Sequence, residues 1–285
     1  MENLGFDAEG YKETTREQWQ KAAEPWYRWG NLLESWLGEA SELMLDLARV
    51  GAGQRILDVA AGAGGQSVRA ARRVGPSGAV LAVDISPETL RYAERAAREA
   101  GLTNLSTREM DAEALDVEPR SFDAAISRLG LSYLPDRIAA LRAVHRALRP
   151  GGHLASVNYT TPERNEFFSI PVAIVRERAG LPAPAPGQPG PFSLGAEGEI
   201  EAAYETAGFT DVLVRRVSAP LRLESAVDCV RFERESFGAL HQMLAPLAEA
   251  EQEEAWAEIE SALRRFEGSD GFAAPCEVVV AGARK

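Results

Sequence analysis

Two aspartates and a run of glycines stand where a nucleotide cofactor could be bound. Asp58 lies near the end of a short apolar segment, which gives way to glycines between Gly62 and Gly65 and then to a helical pattern. A strand, a glycine-rich turn and a helix in this order let the backbone approach a ligand closely. Asp84 ends a second apolar segment, at the place where a carboxylate meets ribose hydroxyls. Together the two signals predict a site for an adenosine-containing cofactor.

The details of the glycine-rich turn favour S-adenosylmethionine over a dinucleotide. Ser67 replaces the third glycine of a dinucleotide fingerprint, and the turn carries no Lys or Arg before Arg69. A pyrophosphate needs donors and positive potential at the helix start, whereas an acid at Asp58 suits the ammonium and sulfonium groups of S-adenosylmethionine. The missing Gly-Lys-Ser/Thr signature excludes a P-loop. An NAD-dependent oxidoreductase and a turn without any ligand are the weaker alternatives.

Five motifs, the first of which includes this turn, follow one another in a fixed order along the chain. They are Leu57–Gly64, Val83–Pro87, Met110–Glu113, Ser121–Ser127 and Leu148–Leu154. In this order the chain resembles the class I S-adenosylmethionine-dependent methyltransferases, in the branch that includes the ubiquinone and menaquinone biosynthesis methyltransferases. The resemblance covers about residues 53–157 strongly and the rest loosely. It departs from the family at Ala60-Ala61, where the family more often has Gly-Cys, but alanine is small enough to preserve the backbone approach.

The resemblance implies S-adenosylmethionine as cofactor, S-adenosylhomocysteine as product, and a role for each motif residue. Asp58 and the backbone of the turn would surround the methionine part, and Asp84 would take the ribose hydroxyls. Ile85 would pack on the adenine, Asp111 would read its amino edge, and Ser127 would line the methionine side, with the backbone of the next residue. Each acid also has a structural alternative, as a cap or a turn residue. The implied cofactor-binding set is Asp58, Ala60, Gly62, Gly64, Asp84, Ile85, Asp111, Ala112 and Ser127.

Apolar segments alternate with helical patterns along the first half of the chain, which is typical of βαβ units and a parallel sheet. We predict strands near 54–60, 79–84, 104–109, 122–128, 152–159, 211–217 and 277–282. We predict helices near 64–74, 87–100, 136–148 and 197–208. The fold class is therefore α/β: a Rossmann-like, seven-stranded, mostly parallel sheet with helices on both faces. If the resemblance holds, the last strand, within 275–283, inserts antiparallel between the fifth and the sixth.

The whole chain, residues 1–285, reads as a single methyltransferase domain with added segments. Residues 1–48 hold four of the five tryptophans in a helical pattern broken by Pro25, which predicts a lid over the cofactor or a flap that packs its own apolar face. The core spans 49–222 and includes a proline-rich loop at 181–191. A helical insertion at 223–270 is expected to cap the acceptor pocket, with an added bundle or a dimer surface as the alternative.

No residue stands out as a catalytic base. Methyl transfer from a sulfonium is an in-line displacement, in which the protein mainly aligns donor and acceptor. Tyr133 and Tyr159 follow the ends of the fourth and fifth strands, on the edge where ligands bind. His241 lies in the insertion and is the third weak candidate; a lone histidine is more often structural. His145 and His153 are expected on a helix surface and at the opposite edge of the sheet.

The composition of the chain disfavours several classes of partner and site. A net charge of −12 disfavours DNA or RNA, whose phosphates require basic surfaces. The chain has no apolar run of membrane-spanning length and no signal-peptide core at its N-terminus, so we expect no membrane insertion and a cytoplasmic location. Cys229 and Cys276 do not make a disulfide framework, and no spacing suggests a metal site.

The sequence therefore predicts methyl transfer to a small molecule. A homodimer that forms through the insertion is a further possibility. The resemblance favours a carbon or oxygen acceptor on a lipophilic or aromatic compound. A non-methylating protein that uses the same cofactor pocket is the main alternative, because one fold serves many reactions.

Overall fold

The computed structural model describes residues 6–184 and 187–285, so residues 1–5 of the predicted lid and 185–186 of the predicted proline-rich loop lie outside it. Ten strands occur in these ranges. They are β1 (Arg55–Val59), β2 (Ala79–Asp84), β3 (Leu105–Glu109), β4 (Phe122–Arg128), β5 (Leu148–Tyr159), β6 (Thr210–Ser218), β7 (Leu221–Leu223), β8 (Glu267–Gly268), β9 (Gly271–Ala274) and β10 (Glu277–Arg284). The predicted strands are all present, and β5 begins earlier than expected.

The described residues also form ten α-helices. They are α1 (Ala8–Arg28), α2 (Gly30–Leu47), α3 (Gly65–Val74), α4 (Pro87–Glu99), α5 (Arg137–Ala147), α6 (Glu166–Arg178), α7 (Glu199–Thr206), α8 (Ala226–Ser236), α9 (Gly238–Leu244) and α10 (Glu249–Leu263). Ser86 caps α4 by accepting a hydrogen bond from the Thr89 N–H, and Pro87 occupies its first position. Within the described ranges, no helix is long and apolar enough to cross a membrane.

The main sheet has seven strands in the order β3-β2-β1-β4-β5-β10-β6. β1 pairs in parallel with β2 on one side and with β4 on the other, so the strand order reverses at β1. Helices leave in opposite directions from such a point, and a crevice opens outside the carboxyl ends of the strands. The predicted Rossmann-like sheet is confirmed, and its topology places the ligand crevice above β1, β2 and β4.

The last strand, β10, lies antiparallel between β5 and β6, as the resemblance implied. Val280 is in register with Val157 of β5 and with Arg215 of β6. Apolar clusters lie on both faces of the sheet: α2 and α3 cover one face together with the C-terminal helices, and α5 and α7 cover the other. Because both faces are covered, the central strands are apolar throughout.

The N-terminal helix continues through Pro25, so the predicted break at this residue is wrong. The chain bends four residues later, at Trp29, which lies between α1 and α2. The carbonyl of Pro25 still accepts a hydrogen bond from the Trp29 N–H at 2.8 Å. Proline removes one donor from a helix but does not prevent the turns on either side from forming when packing supports them.

Residues 223–270 are helical, as expected, and also contribute to a small sheet that was not predicted. Its strand order is β7-β9-β8, all antiparallel. These strands are two to four residues long, which is too short for an alternating apolar pattern to be recognised. The described parts of the proline-rich loop, 181–184 and 187–191, contain no helix or strand, and the Gly190 N–H donates to the Ser132 carbonyl at 2.9 Å.

Replacing Gly282 in β10 by alanine tests the packing of α2 on the sheet. An added Cβ would lie 2.7 Å from the Cβ of Leu47, so helix and strand must separate, at a cost of about 1–3 kcal/mol. We expect a lower midpoint of thermal or urea unfolding. Gly268→Ala is the matched control, because no atom lies within 4 Å of its added Cβ. Equal midpoints for Gly282→Ala and the wild type would contradict this packing.

Candidate functional site

A cavity of about 450 Å³ lies above the carboxyl ends of β1, β2 and β4. This volume is within the range of pockets that hold cofactors and drug-sized ligands. The sheet side supplies the glycine-rich turn and the residues that follow the strands. Helix α1 supplies the cover. The lining residues used below are Lys12, Trp19, Trp26, Tyr27, Ala60, Gly62, Gly64, Gly65, Asp84, Ile85, Asp111, Ala112, Arg128, Gly130 and Tyr133.

The glycine-rich turn wraps under the cavity and ends at the first residue of α3. The Ala61 N–H donates to the Val83 carbonyl at 3.0 Å, which joins the turn to the end of β2. Gly64 has a φ of 83°, and a Cβ there would lie 2.8 Å from the Cα of Ala93 in α4. Only glycine fits this position, because it tolerates both the left-handed backbone and the close approach. The backbone therefore forms the floor on which a ligand would lie.

Asp84 lies at the end of β2, faces the cavity and binds two backbone donors. Its Oδ2 accepts from the Gly62 N–H and its Oδ1 from the Ser86 N–H, each at 2.9 Å. Burial raises the pKa of this carboxyl, and the backbone hydrogen bonds oppose that rise. Each carboxylate oxygen can accept a second hydrogen bond, so the predicted role toward ribose hydroxyls and the structural alternative are compatible.

Asp111 follows β3 and also faces the cavity, where it meets a lysine from the cover. Its Oδ2 lies 2.9 Å from Lys12 Nζ, and Glu113 lies 2.6 Å from the same nitrogen. Burial by itself lowers the pKa of Lys12, but the hydrogen bonds and charges of Glu113 and Asp111 outweigh burial and raise it. This ion-pair cluster fastens the first half of α1 over the crevice. Ile85 and Ala112 provide apolar lining beside it.

Asp58 does not face the cavity, contrary to the prediction. Its side chain is fully buried beneath the turn, where Ser67 donates to Oδ2 and Gln66 Nε2 lies 3.3 Å from Oδ1. Burial raises the pKa of Asp58 to about 7, against the hydrogen bonds from Ser67 and Gln66. Ser67, noted in the sequence only as a missing glycine, therefore has a structural role. Ser127 is likewise buried outside the cavity lining.

Arg128 brings a half-buried positive charge into the cavity, whereas the sequence pattern indicated only a backbone role for this position. The guanidinium lies at the end of β4, and its Nη1 donates to Ser41 Oγ at 3.1 Å. Burial lowers its pKa to about 10, and the charge of Asp58 opposes this. In the part of the chain that the structure describes, no carboxylate forms an ion pair with it. Such a cation can bind the carboxylate of a ligand.

Aromatic side chains from α1 close the cavity. Trp19 packs edge-on against both Trp26 and Tyr133, at centroid distances of 5.5 and 5.9 Å. The other two tryptophans of this segment do not line the cavity: Trp36 is in the core, and Trp29 donates to Glu235. Both interpretations of the N-terminal segment thus apply, each to different tryptophans.

The three weak base candidates fall in different places. Tyr133 lines the cavity, and burial raises its pKa, so it is a hydrogen-bond donor at neutral pH. Tyr159 is fully buried behind the cavity wall. His241 is exposed, with Nε2 2.5 Å from the Arg234 carbonyl oxygen, and packs on Trp256.

The helical insertion does not supply the cavity lining that was expected of a cap. Among the described residues, no residue of 223–270 lines the cavity. The insertion instead packs behind α1, where the Trp26 indole N–H donates to the Ser236 carbonyl at 2.9 Å. In this structure α1 lies between the cavity and the insertion, including His241, so the expected contact of the insertion with the pocket stays a prediction.

A parallel sheet that reverses at β1, with a glycine floor and an acid at the end of β2, defines a Rossmann-like protein with a nucleotide-cofactor site. Comparison with known proteins specifies it further. A model of the methyltransferase domain matches residues 56–152. The ubiquinone/menaquinone biosynthesis C-methyltransferase UbiE of Pasteurella multocida is 35% identical over 119 residues, 41% of this chain and 44% of that protein.

Two further relatives agree. Aklanonic acid methyltransferase DauC of a Streptomyces species is 35% identical over 119 residues, 42% of this chain and 53% of that protein. The crystal structure of YcgJ from Bacillus subtilis shares the fold with a TM-score of 0.58 at 19% identity, over 87% of this chain and 98% of that one. The matched region spans about half the length of the curated relatives. Residues 56–152 therefore match a methyltransferase domain, and the chain has the fold of the class I S-adenosylmethionine-dependent methyltransferases.

Ala60, where the chain departs from the family, adopts a φ of 54°. This left-handed conformation costs a non-glycine residue roughly 1–2 kcal/mol. Gly130 makes room for it, because a Cβ at Gly130 would lie 2.3 Å from the Ala60 Cβ. The alanine therefore adopts this turn at the expense of backbone strain.

Ala60→Gly should stabilise the protein by about 0.5–1 kcal/mol, because relief of strain exceeds the added freedom of the unfolded chain. Thermal unfolding would measure the gain as an increase in Tm of a few degrees. Ala61→Gly is the control: Ala61 is buried and has no positive φ, so the same substitution there should lower the Tm. A lower Tm for both variants would contradict the strain.

Asp58→Asn should change how stability depends on pH. The folded carboxyl, with a pKa of about 7, stays protonated while the unfolded one ionises near pH 4. Asp58 therefore contributes roughly 4 kcal/mol to the free energy of unfolding below about pH 4. This contribution is lost as the pH rises to about 7. As the pH rises from 5 to 8, the free energy of unfolding of Asp58→Asn, measured in urea, should increase by about 2–3 kcal/mol relative to that of the wild type. Parallel curves for the two proteins would contradict this. Asp123→Asn, at the opposite edge of the sheet, is the control.

Proposed function

We propose that this protein transfers a methyl group from S-adenosylmethionine to a small molecule. The observation that carries the proposal is the closed cavity in which the glycine floor, the Asp84 carboxylate and the Arg128 guanidinium face the same space. These are the groups that a nucleoside with an amino-acid tail requires: hydrogen-bond acceptors for a ribose diol and a cation for a carboxylate.

The lining residues suggest one orientation for the cofactor. Asp84 would accept hydrogen bonds from the ribose hydroxyls, and Ile85 with Ala112 would enclose the adenine. Asp111 would accept from the adenine amino group while it keeps its ion pair with Lys12. Arg128 would bind the methionine carboxylate, which moves the methionine contact from Asp58 to a neighbouring strand.

The chemistry requires alignment and exclusion of water more than a strong base. S-adenosylmethionine supplies an activated methyl group when bound. Trp19, Trp26 and Tyr133 close the cavity, and their ring faces would favour a sulfonium cation by cation–π attraction. Tyr133, protonated at neutral pH, would orient an acceptor oxygen by donating a hydrogen bond. Closing α1 over both reactants would hold them in line.

We propose a lipophilic or aromatic acceptor that is methylated on carbon or oxygen. The apolar cover supports this class. So do the UbiE and DauC relatives, whose names describe a C-methyltransferase and an aklanonic acid methyltransferase.

The net charge of −12 disfavours nucleic acid as a partner. Two buried, unpaired cysteines suit a reducing compartment such as the cytoplasm. A homodimer stays a prediction, which sedimentation of the purified chain would test.

Calorimetric titration with S-adenosylhomocysteine, S-adenosylmethionine and NAD tests the cofactor assignment. The two sulfur nucleosides should bind with micromolar Kd, and NAD should not bind. Asp84→Ala should weaken binding by tenfold to a hundredfold, because hydrogen bonds to a carboxylate contribute about 1.5–3 kcal/mol each. Asp123→Ala is the matched control: it accepts from the Arg55 N–H and from Arg149 at the opposite edge of the sheet and should leave binding unchanged.

Binding of NAD alone would contradict the proposal. An acceptor screen with mass analysis then separates methyl transfer from the non-methylating alternative. A product heavier by one methyl in place of one hydrogen supports transfer, whereas conversion of the acceptor with no gain in mass contradicts it.

A further inference from the structure

Three buried polar side chains behind the cavity wall have atoms without a hydrogen-bond partner among the described residues. They are Tyr159 Oη at the end of β5, and Glu233 Oε2 and Ser236 Oγ on α8. Tyr159, Glu233 and Ser236 are 2%, 0% and 1% exposed. An unpaired buried polar group costs about 1–3 kcal/mol, and native proteins keep few of them without a function. Three in one region point to a ligand.

The three side chains belong to one cluster. Glu233 and Ser236 are three residues apart, on the same face of α8. Burial raises the pKa of the Tyr159 hydroxyl, and neighbouring groups that include Glu233 add to the rise. Trp36 lies between the two elements, with its ring 6.3 Å from that of Tyr159 and 6.2 Å from that of Phe232. An aromatic shell of Trp36, Tyr159 and Phe232 therefore joins the two elements that carry the polar atoms.

The cluster lies directly behind the cavity lining. Trp26, which lines the cavity, donates to the backbone carbonyl of Ser236. Arg128 also lines it, and its positive charge acts on the Tyr159 hydroxyl. Tyr159 is two residues beyond Val157, which is in register with Arg128 at the end of β4. One layer of side chains, carried partly by helix α1, separates the cluster from the cavity.

We propose that Tyr159, Glu233 and Ser236 form the polar end of the acceptor site and bind the hydroxyl or carbonyl group of a neutral aromatic acceptor. This inference rests on the proposed function and specifies which acceptor it takes. A displacement of the Trp26 and Tyr133 side chains opens the way from the cavity to the cluster. The acceptor's ring lies in the aromatic shell, and its reacting end faces the cavity.

The chemistry of the three groups selects a neutral polar group. Burial raises the pKa of Glu233 well above its usual range, which favours the protonated carboxyl, a group that can both donate and accept. Two hydroxyls beside it have the same capacity. An anionic group would lack a cation of its own here, since Arg128 serves the cofactor carboxylate. A cationic amine would require Glu233 to ionise inside an aromatic shell.

Binding of phenol, toluene and benzylamine to the protein saturated with S-adenosylhomocysteine tests the proposal. Phenol should bind at least tenfold more tightly than toluene, and benzylamine should not bind. Glu233→Leu and Tyr159→Phe should each lower the preference for phenol at least tenfold and leave the Kd of S-adenosylhomocysteine unchanged. Glu233→Gln should retain the preference, because an amide also donates and accepts.

Thermal unfolding distinguishes recognition from a structural role. Glu233→Leu and Tyr159→Phe remove unpaired groups, so their Tm should be unchanged or higher. Tyr204→Phe is the matched control: Tyr204 is equally buried, but its hydroxyl donates to Ser156 at 2.8 Å across the other face of the sheet. That variant should lose Tm and keep the preference for phenol.

Equal binding of phenol and toluene to the wild type would overturn the proposal. So would a phenol preference that survives in Tyr159→Phe, the variant that remains informative if Glu233→Leu does not fold. Tight binding of benzylamine would overturn it in favour of an amine acceptor. Failure of the wild type to bind S-adenosylhomocysteine, measured before the probes are added, would instead contradict the proposed function.

Discussion

The hydrogen bond from the Gly62 N–H to the Asp84 carboxylate holds the cavity together. It joins the turn after β1 to the end of β2, and the other oxygen of the same carboxylate holds the Ser86 N–H at the start of α4. Two strands, one turn and one helix therefore meet at a single side chain. Its burial makes this carboxyl costly to ionise, and the backbone donors offset that cost. Any ligand that offers further donors at this point benefits from an acceptor already held in place.

Two ionisable groups, the fully buried Asp58 and the half-buried Arg128, lie on either side of this centre and have different roles. Asp58 is beneath the floor, where Ser67 and Gln66 satisfy it, and Arg128 is above the floor, where it faces the cavity. Each acts on the pKa of the other in the direction that favours the charged form. The pair gives the cavity a positive end without a direct ion pair, which leaves the guanidinium available to a ligand.

The cover is fastened differently at its two ends. Near its start, α1 is held by charge, through Lys12 with Asp111 and Glu113. Toward its end it is held by aromatic packing and by the hydrogen bond of Trp26 to α8. The helical insertion supports the cover from behind.

The sequence alone determined the sheet, its parallel order, the glycine-rich turn and the place of Asp84. Short sequence patterns predict these features: apolar runs of strand length, glycine where the backbone must approach a ligand, and Ser-Pro at the start of α4. The position of the last strand was implied by the resemblance to a family, and the strand pairing confirms it.

Only the tertiary structure decided which side chains reach the cavity. Lys12 and Asp111 are 99 residues apart in the chain yet form an ion pair. Asp58 is covered by the turn, whereas the Arg128 side chain lines the cavity. The insertion stands behind α1 instead of over the pocket. Contacts of this kind depend on how the elements pack. Packing brings together residues that are distant in the sequence, and the local pattern around one residue does not indicate its partner.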